Sequence, residues 1–336
     1  MKPLFRKIPH PLGLLLAFFV FILSCSLSLL VGKTAIPPEM VLDALINYDA
    51  TVTEHVIVAS SRLSRTVIAA VVGASLAISG ALMQALTKNP LAAPDIFGIN
   101  AGALFFIVSA ATIFSVQSLL HYMWVGFLGA ALAAAFVYTL GSFGRDRLSP
   151  VKLILAGAAI TALFVSFTQG LLVMNEQGLQ SVLFWLAGSV AGRSIDMLLP
   201  ILPFMLGASL IALYLGRAIN ILLIGEDVAT GLGQRTVLTK LVIGCIVVFL
   251  AGGSVAVAGS IGFIGLIIPH IVRGLFGTDY RLVIPYSAFL GGSLLLIADI
   301  VARTIIMPRE MPIGVMTALV GAPFFIYIAR KGLARK

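Results

Sequence analysis

Long apolar runs separated by short polar breaks set the pattern of this chain. They occupy residues 12–32, 58–84, 94–114, 120–141, 150–173, 196–216, 237–258, 261–276, 282–303 and 312–330. Most are long enough to cross a hydrocarbon layer of ~30 Å, which takes about 20 helical residues. The run at 261–276 is short for a full crossing, and Pro90, Pro94 and Pro269 blur several ends. Lipid offers no partner to a free backbone N–H or C=O, so spanning runs of this kind must be helical. The pattern predicts an all-α polytopic membrane protein with about ten transmembrane helices, forming a single domain over residues 1–336.

Composition agrees with this and orients the chain. Charged residues make up 10% and hydrophobic residues 60%, whereas a soluble domain has about a quarter charged. The first run follows Lys2, Arg6 and Lys7 but is too long for a signal peptide and precedes no small-residue cleavage pattern, so it reads as a retained span. Basic residues near span ends stay in the cytoplasm. With ten spans, sixteen of the 22 Lys and Arg residues fall on the side of the termini; the other six are Lys33, Arg62, Arg65, Arg193, Arg303 and Arg309. Both termini and the 217–236 loop are therefore expected in the cytoplasm, and segments 33–56 and 174–195 outside. The net charge of +9 follows from this topology and calls for no nucleic acid.

Within the outward segment 33–56, prolines 37 and 38 precede Val41, Leu42, Leu45 and Ile46, which predicts a short amphipathic helix acting as a cover. In the second outward segment, Leu183-Phe-Trp-Leu186 suits an interfacial helix with Trp185 at headgroup depth. Gly73-Ala-Ser-Leu-Ala-Ile-Ser-Gly80 and Gly252-Gly-Ser-Val-Ala-Val-Ala-Gly259 carry small residues at helical spacing, which lets helices approach closely and predicts a compact bundle. Each runs on into a proline-bearing segment ending in Phe97-Gly98 or Phe276-Gly277. As spans two and seven they would run in opposite directions, a candidate inverted internal repeat.

The chemistry that is missing narrows the function. Asp95 and Asp299 are the carboxylates set within apolar runs; Asp95 lies in a proline-rich break, and Asp299 stands four residues before Arg303, at helical ion-pair spacing. An ion-coupled carrier or proton pump needs more intramembrane charge. No Gly-x-x-x-x-Gly-Lys-Ser/Thr phosphate loop occurs, since Gly32-Lys33-Thr34 lacks the upstream glycine. His10, His55, His121 and His270 have no metal-ligand spacing, and Cys25 and Cys245 sit in apolar runs as small hydrophobes. No catalytic residue, bound cofactor or metal is expected, and energy for transport must come from outside the chain.

Several stretches together resemble a known family. They are Ser61-Arg-Leu-Ser-Arg-Thr66, Gly73 to Gln84, Asn89-Pro-Leu-Ala-Ala-Pro94, Gly98-Ile-Asn-Ala-Gly102, Gly225-Glu-Asp-Val-Ala-Thr-Gly-Leu-Gly233, Gly259 to Arg273, Ala298-Asp-Ile-Val-Ala-Arg303 and Glu310-Met-Pro-Ile-Gly314. In order and over most of the chain they resemble the permease subunits of binding-protein-dependent ABC importers for iron–siderophore complexes and vitamin B12. The resemblance implies two permease subunits around a central pathway, two cytoplasmic ATPase subunits that use ATP and Mg, and an external substrate-binding protein. It implies that Gly225, Glu226, Asp227, Ala229, Leu232 and Gly233 form the coupling region seated in the ATPase, with the glycines shaping turns and Leu232 as apolar anchor. It also implies that Arg62, Arg65 and Arg303 receive glutamates of the binding protein, as the planar guanidinium fork allows. Ser64 stands where that family usually has proline between the first two arginines.

The reading is a permease subunit in the cytoplasmic (inner) membrane that moves ferric siderophore inward by alternating access, powered by the partner ATPase. Pathway walls are expected from the small-residue spans, at Gly73, Ser79, Gly80, Met83, Gln84, Gly253, Gly259, Gly262 and Gly265, positions that serve helix packing equally well. A cobalamin or haem importer of the same construction is an alternative, and an autonomous secondary carrier a second one. Whether the partner permease is a second copy or a related chain stays open.

Overall fold

The computed structural model describes residues 9–114, 116, 118–142, 150–174 and 185–333. Among these every regular element is helical and no strand occurs. In order, those longer than four residues are α1 (His10–Leu30), α2 (Pro38–Ile46), α3 (Thr53–Leu86), α4 (Ile99–Thr112), α5 (Leu119–Ser142), α6 (Pro150–Met174), α7 (Leu202–Tyr214), α8 (Gly216–Ile224), α9 (Glu226–Gly231), α10 (Thr236–Ala258), α11 (Ile264–Phe276), α12 (Tyr280–Thr304) and α13 (Ile313–Leu333). Each apolar run of the sequence thus becomes a helix or a helix pair. By length and composition, α1, α3, α5, α6, α10 and α12 can each cross a membrane, and α7 with α8, bent by 53°, makes a seventh span. The remaining three runs form the shorter apolar helices α4, α11 and α13.

Burial ranks these helices. The most apolar window of α3 is 78% buried and that of α1 only 22%, so α3 is the central post and α1 a peripheral one. α3 packs along α12 more extensively than any other pair. Their backbones touch: a Cβ added at Gly73 would lie 2.4 Å from the Gly291 carbonyl oxygen, and one at Gly291 2.5 Å from that of Gly73. Association in lipid rests on such close van der Waals fit, because apolar side chains gain little by leaving hydrocarbon. α1 follows the same logic, burying Gly13, Ala17, Ser24 and Ser28 while Leu15 and Phe19 point away from the chain. Its Phe18 and Phe21 rings meet Phe289 of α12 at 5.4 and 5.8 Å.

An order of elements recurs. α3 contains a π-helical stretch at Ile57–Leu63 and α10 one at Val248–Gly252. After each helix the chain breaks, passes through a left-handed residue, Gly98 (φ 65°) or Phe263 (φ 69°), and enters a short helix of 14 or 13 residues. A long helix of 24 or 25 residues then follows. Phenylalanine rarely adopts positive φ. Here its ring is seated over Gly321 of α13, where an added Cβ would come within 2.2 Å of it.

Two surface expectations change. α2 forms, but it buries Val41 and Ala44, with Ile36 before it, against Val58, while Leu42, Leu45 and Ile46 are exposed. The short helix thus turns only one of its four anticipated apolar residues inward. Trp185 is not an interfacial anchor: it is 1% exposed, with the Arg193 guanidinium 4.2 Å above its ring and Tyr122 edge-on at 6.4 Å. The segment after it folds back onto the break that follows α10. Ser189 N donates to Ala258 O (2.8 Å), Ser260 N to Trp185 O (3.0 Å) and Gly314 N to Gly188 O (3.1 Å). Those tethers hold the indole inside, and burial lowers the Arg193 pKa to about 10. Leu183 and Phe184 lie outside the described residues.

Candidate functional site

The α-helical scaffold carries polar clusters at its two ends, connected by α3 and α12. At the end where α3 begins and α12 finishes, Asp299 is fully buried between two arginines. Its Oδ1 accepts from Arg65 Nη2 at 2.7 Å, and its Oδ2 lies 2.7 Å from Arg303 Nη2. The helical spacing of Asp299 and Arg303 thus yields the ion pair it predicts. Arg65 reaches outward through Nη1 to Glu310 Oε2 (2.8 Å), whose Oε1 meets Lys33 Nζ at 3.1 Å. Arg303 also donates to Ser28 O, Val31 O and Ser28 Oγ.

Arg62 uses its guanidinium differently. Nη1 donates to Leu29 O and Leu30 O, both at 2.8 Å, and Nη2 to Thr34 O. The last carbonyls of a helix have no intrahelical donor and carry partial negative charge. Arg62 therefore caps the C-terminus of α1. All three arginines are more than nine-tenths buried, and with Lys33 and Glu310 they line a cavity of about 220 Å³. The charged groups of this cluster that reach solvent are Lys33, with 46% of its side chain exposed, and Glu310, with 20%. Burial would raise the Glu310 carboxyl, but Arg65 and Lys33 outweigh it and hold the group below its ordinary value. The sequence reading gave Lys33, Ser28 and Glu310 no role; polar residues flanking a span were the available signal.

At the other end, Gly225 (φ 156°) and Gly233 (φ 81°) bracket α9, both in backbone geometry that suits glycine. Ala229 is fully buried beneath α9. Glu226 Oε1 accepts from Lys240 Nζ of α10 at 2.5 Å, and Gln234 Nε2 donates to Ala218 O and Thr239 Oγ1. Glu226 is thus held within the chain, while Asp227 is exposed. Three large apolar side chains stand out on this polar loop, Ile224, Val228 and Leu232, exposed by 70, 47 and 67%. Only Leu232 was singled out from sequence, although the four-residue spacing of Val228 and Leu232 was available there.

The same end is tied to the start of α12. Asn220 Nδ2 donates to Asp279 Oδ1 (2.6 Å), and Asn220 Oδ1 accepts from Tyr280 N (2.9 Å). Asp279 caps α12 by accepting from Arg281 N (3.0 Å). Hydrogen bonds from the Arg281 side chain, then from Asn220, outweigh burial and bring the Asp279 carboxyl down to about 2.

Between the two ends, the small-residue positions mark helix contacts. Gly73 meets Gly291, Gly80 meets Gly265 across α3 and α11, Gly253 meets Met205, and Gly259 (φ 76°) lies against the Trp185 backbone. Met83 and Ser79 are fully buried, and Gln84 donates to Gly265 O at 3.1 Å. Of the two uses open to these residues, packing is the one this geometry displays. Gly262 differs, with nothing within 4 Å of an added Cβ. Asp95 is exposed in the single turn Pro94–Phe97 and lies in a break between helices.

Comparisons with known proteins fit this arrangement. The chain is 55% identical over 314 residues, 94% of each chain, to the probable siderophore transport system permease protein YfiZ of Bacillus subtilis (strain 168). It is 38% identical over 278 residues, 83% of this chain and 74% of the relative, to the cobalamin import system permease protein BtuC of Halobacterium salinarum. A solved structure described as an inward-facing conformation of a metal-chelate type ABC transporter superposes with a TM-score of 0.83 at 31% identity, covering 96% of this chain and 99% of the other. The model of the FecCD transport family matches residues 19–331, and the chain belongs to that family.

Proposed function

We propose that this chain is the transmembrane permease subunit of an ABC importer that carries ferric siderophore into the cell. The 55% identity to a siderophore permease along nearly the whole chain carries the choice of substrate. In this reading the subunit lies in the cytoplasmic membrane with both termini in the cytoplasm and pairs with a second permease, identical or related. The α9 end faces the cytoplasm and seats in a partner ATPase, which binds ATP and Mg; this chain supplies no cofactor site of its own. The exposed Ile224, Val228 and Leu232 support that seat, since apolar side chains on a charged loop gain by entering a protein groove. The opposite end, with the cavity lined by Lys33, Arg62, Arg65, Arg303 and Glu310, faces outward and receives acidic side chains of the substrate-binding protein.

Mechanically, α3 and α12 run between the two ends with their backbones in contact at Gly73 and Gly291. Two posts packed this closely move as a rigid unit, so ATPase closure at α9 passes to the outer end as rigid-body motion. The buried carboxylate of these two helices, Asp299, is held between Arg65 and Arg303. That leaves the energy source to the partner.

The test is uptake of labelled iron presented on hydroxamate, catecholate and carboxylate chelators, in cells with and without the gene. Loss of uptake for one chelate class upholds the proposal; unchanged uptake of all of them, with loss of cobalamin uptake, would move the chain to the cobalamin branch that its 38% identity to a cobalamin permease keeps in view. Transport by the purified chain alone in liposomes, driven by an ion gradient, would instead identify a secondary carrier.

A further inference from the structure

The outer cluster contains four cations, Lys33, Arg62, Arg65 and Arg303, against two carboxylates, Asp299 and Glu310. The excess of two positive charges attracts an acidic group. Its donors, however, are unequally placed. Arg62 is spent on the carbonyls that end α1, and Arg303 on Asp299, Ser28 and Val31. Asp299, with no exposed surface, is fixed on α12 beneath the cavity. The two remaining donors are the exposed Lys33 Nζ and the buried Arg65 Nη1, and one residue, the partly exposed Glu310, occupies both of them.

Glu310, like Lys33, has its backbone outside the helices. It sits in the connection between α12 and α13, which Met311 N pins to Ala302 O at 3.0 Å. An external carboxylate that merely joined Glu310 would stand beside a like charge, and Coulomb repulsion would oppose it. Taking the place of Glu310 avoids that repulsion and gains both donors.

Building on the outer end as the docking face for the binding protein, we propose that Glu310 is an exchangeable counter-ion. A partner carboxylate takes over Arg65 Nη1 and Lys33 Nζ, Glu310 withdraws to solvent, and the connection into α13 is released. Docking would then be read out as a local change at the start of α13, and the undocked permease would keep its cation site closed with its own glutamate.

The experiment uses the complete permease–ATPase complex in nanodiscs and measures its affinity for the ferric-siderophore-loaded binding protein. Glu310→Gln removes the competing charge at constant shape and is expected to tighten binding about tenfold; Glu310→Asp, too short to span both cations, is expected to tighten it less. Lys33→Glu, at an exposed position, reports on the docking face itself and is expected to weaken binding. If Lys33→Glu weakens binding while both Glu310 variants leave it unchanged or weaker, the docking face stands and the exchange is overturned. If Lys33→Glu and both Glu310 variants leave affinity at the wild-type value, the docking face is overturned and the exchange with it.

Discussion

Gln84 Nε2 donates to the carbonyl oxygen of Gly265 at 3.1 Å, the one acceptor in α11 that Pro269 cannot serve. A helical N–H at position 269 would bond the carbonyl four residues earlier, and proline has no N–H. α3 supplies the missing donor from its last turn, and the Gln84 Oε1 in turn accepts from Arg273 Nη2. The amide therefore stitches α3 to both halves of α11. Gln84→Leu should cost about 1–3 kcal/mol, since it leaves a buried carbonyl without its donor and takes one acceptor from the Arg273 guanidinium. The check is a double-mutant cycle on thermal unfolding of the purified protein in detergent. In a Pro269→Ala background, where the helix regains its own donor, the penalty of Gln84→Leu should shrink. An equal penalty in both backgrounds would mean that the Gln84 bond is not a substitute for the proline's.

The small residues of α3 and α11 allow a direct test of packing against passage. A Cβ at Gly80 would come within 2.0 Å of the Gly265 carbonyl, a backbone atom that cannot swing aside, whereas a Cβ at Gly262 meets nothing. Gly80→Ala should therefore reduce the yield of monodisperse protein and lower its thermal midpoint. Gly262→Ala should leave both unchanged, as should Gly262→Ser. Overpacking of a core typically costs about 1–3 kcal/mol, and more where the backbone must move. Size-exclusion profiles of the variants, compared at equal expression, decide the point; a normal profile for Gly80→Ala would remove the close approach from the account.

Much of this was legible from residue order because lipid imposes a simple rule on the chain. Each apolar run became a helix, the Asp299 and Arg303 spacing became an ion pair, and the glycines around Glu226 became the corners of a separate short helix. What escaped notice depended on contacts distant in sequence. Arg62 looks like a free surface cation until the end of α1, about thirty residues earlier, is brought beneath it. Trp185 looks like a headgroup anchor until Ser260 tethers its backbone and turns the ring inward. Glycine spacing likewise cannot say whether a smooth face meets a substrate or another helix; only the partner at Gly265 or Gly291 decides it.

Asp279 makes the junction between α8 and α12 sensitive to acid. Its folded pKa of about 2 lies below the ordinary aspartate value near 3.9, so its contribution to stability is present above that value and fades as pH falls toward 2. A depressed carboxyl binds fewer protons folded than unfolded, which gives stability that rises with pH across this window. In Asp279→Asn the dependence should vanish. Wild type should exceed the variant by a constant margin above about pH 5, and the two should converge by about pH 2. The margin should be modest, because the Arg281 partner is solvent-exposed and screened. Isothermal denaturation at stepped pH measures it, and parallel curves throughout would mean that Asp279 titrates normally.

Val228 and Leu232 present apolar surface on a loop that is otherwise polar and anchored from beneath by Ala229 and the Glu226–Lys240 pair. Burial of one such side chain in a partner groove is worth about 1.5–3 kcal/mol. Under the proposed function, Leu232→Ala should therefore weaken association with the ATPase roughly ten- to a hundredfold, and Val228→Ala somewhat less. Neither change touches the packing of the bundle, so membrane abundance and thermal stability of the permease should stay at wild-type levels. Lys240→Met makes the informative contrast. It unpins Glu226 and disturbs the seating of α9 from behind, so ATPase binding should drop only in part while ATP-driven uptake falls further. Titration of the solubilised permease with the purified ATPase, alongside uptake in cells, separates the two effects. Unimpaired binding by Leu232→Ala would show that the apolar residues of α9 face something other than the ATPase.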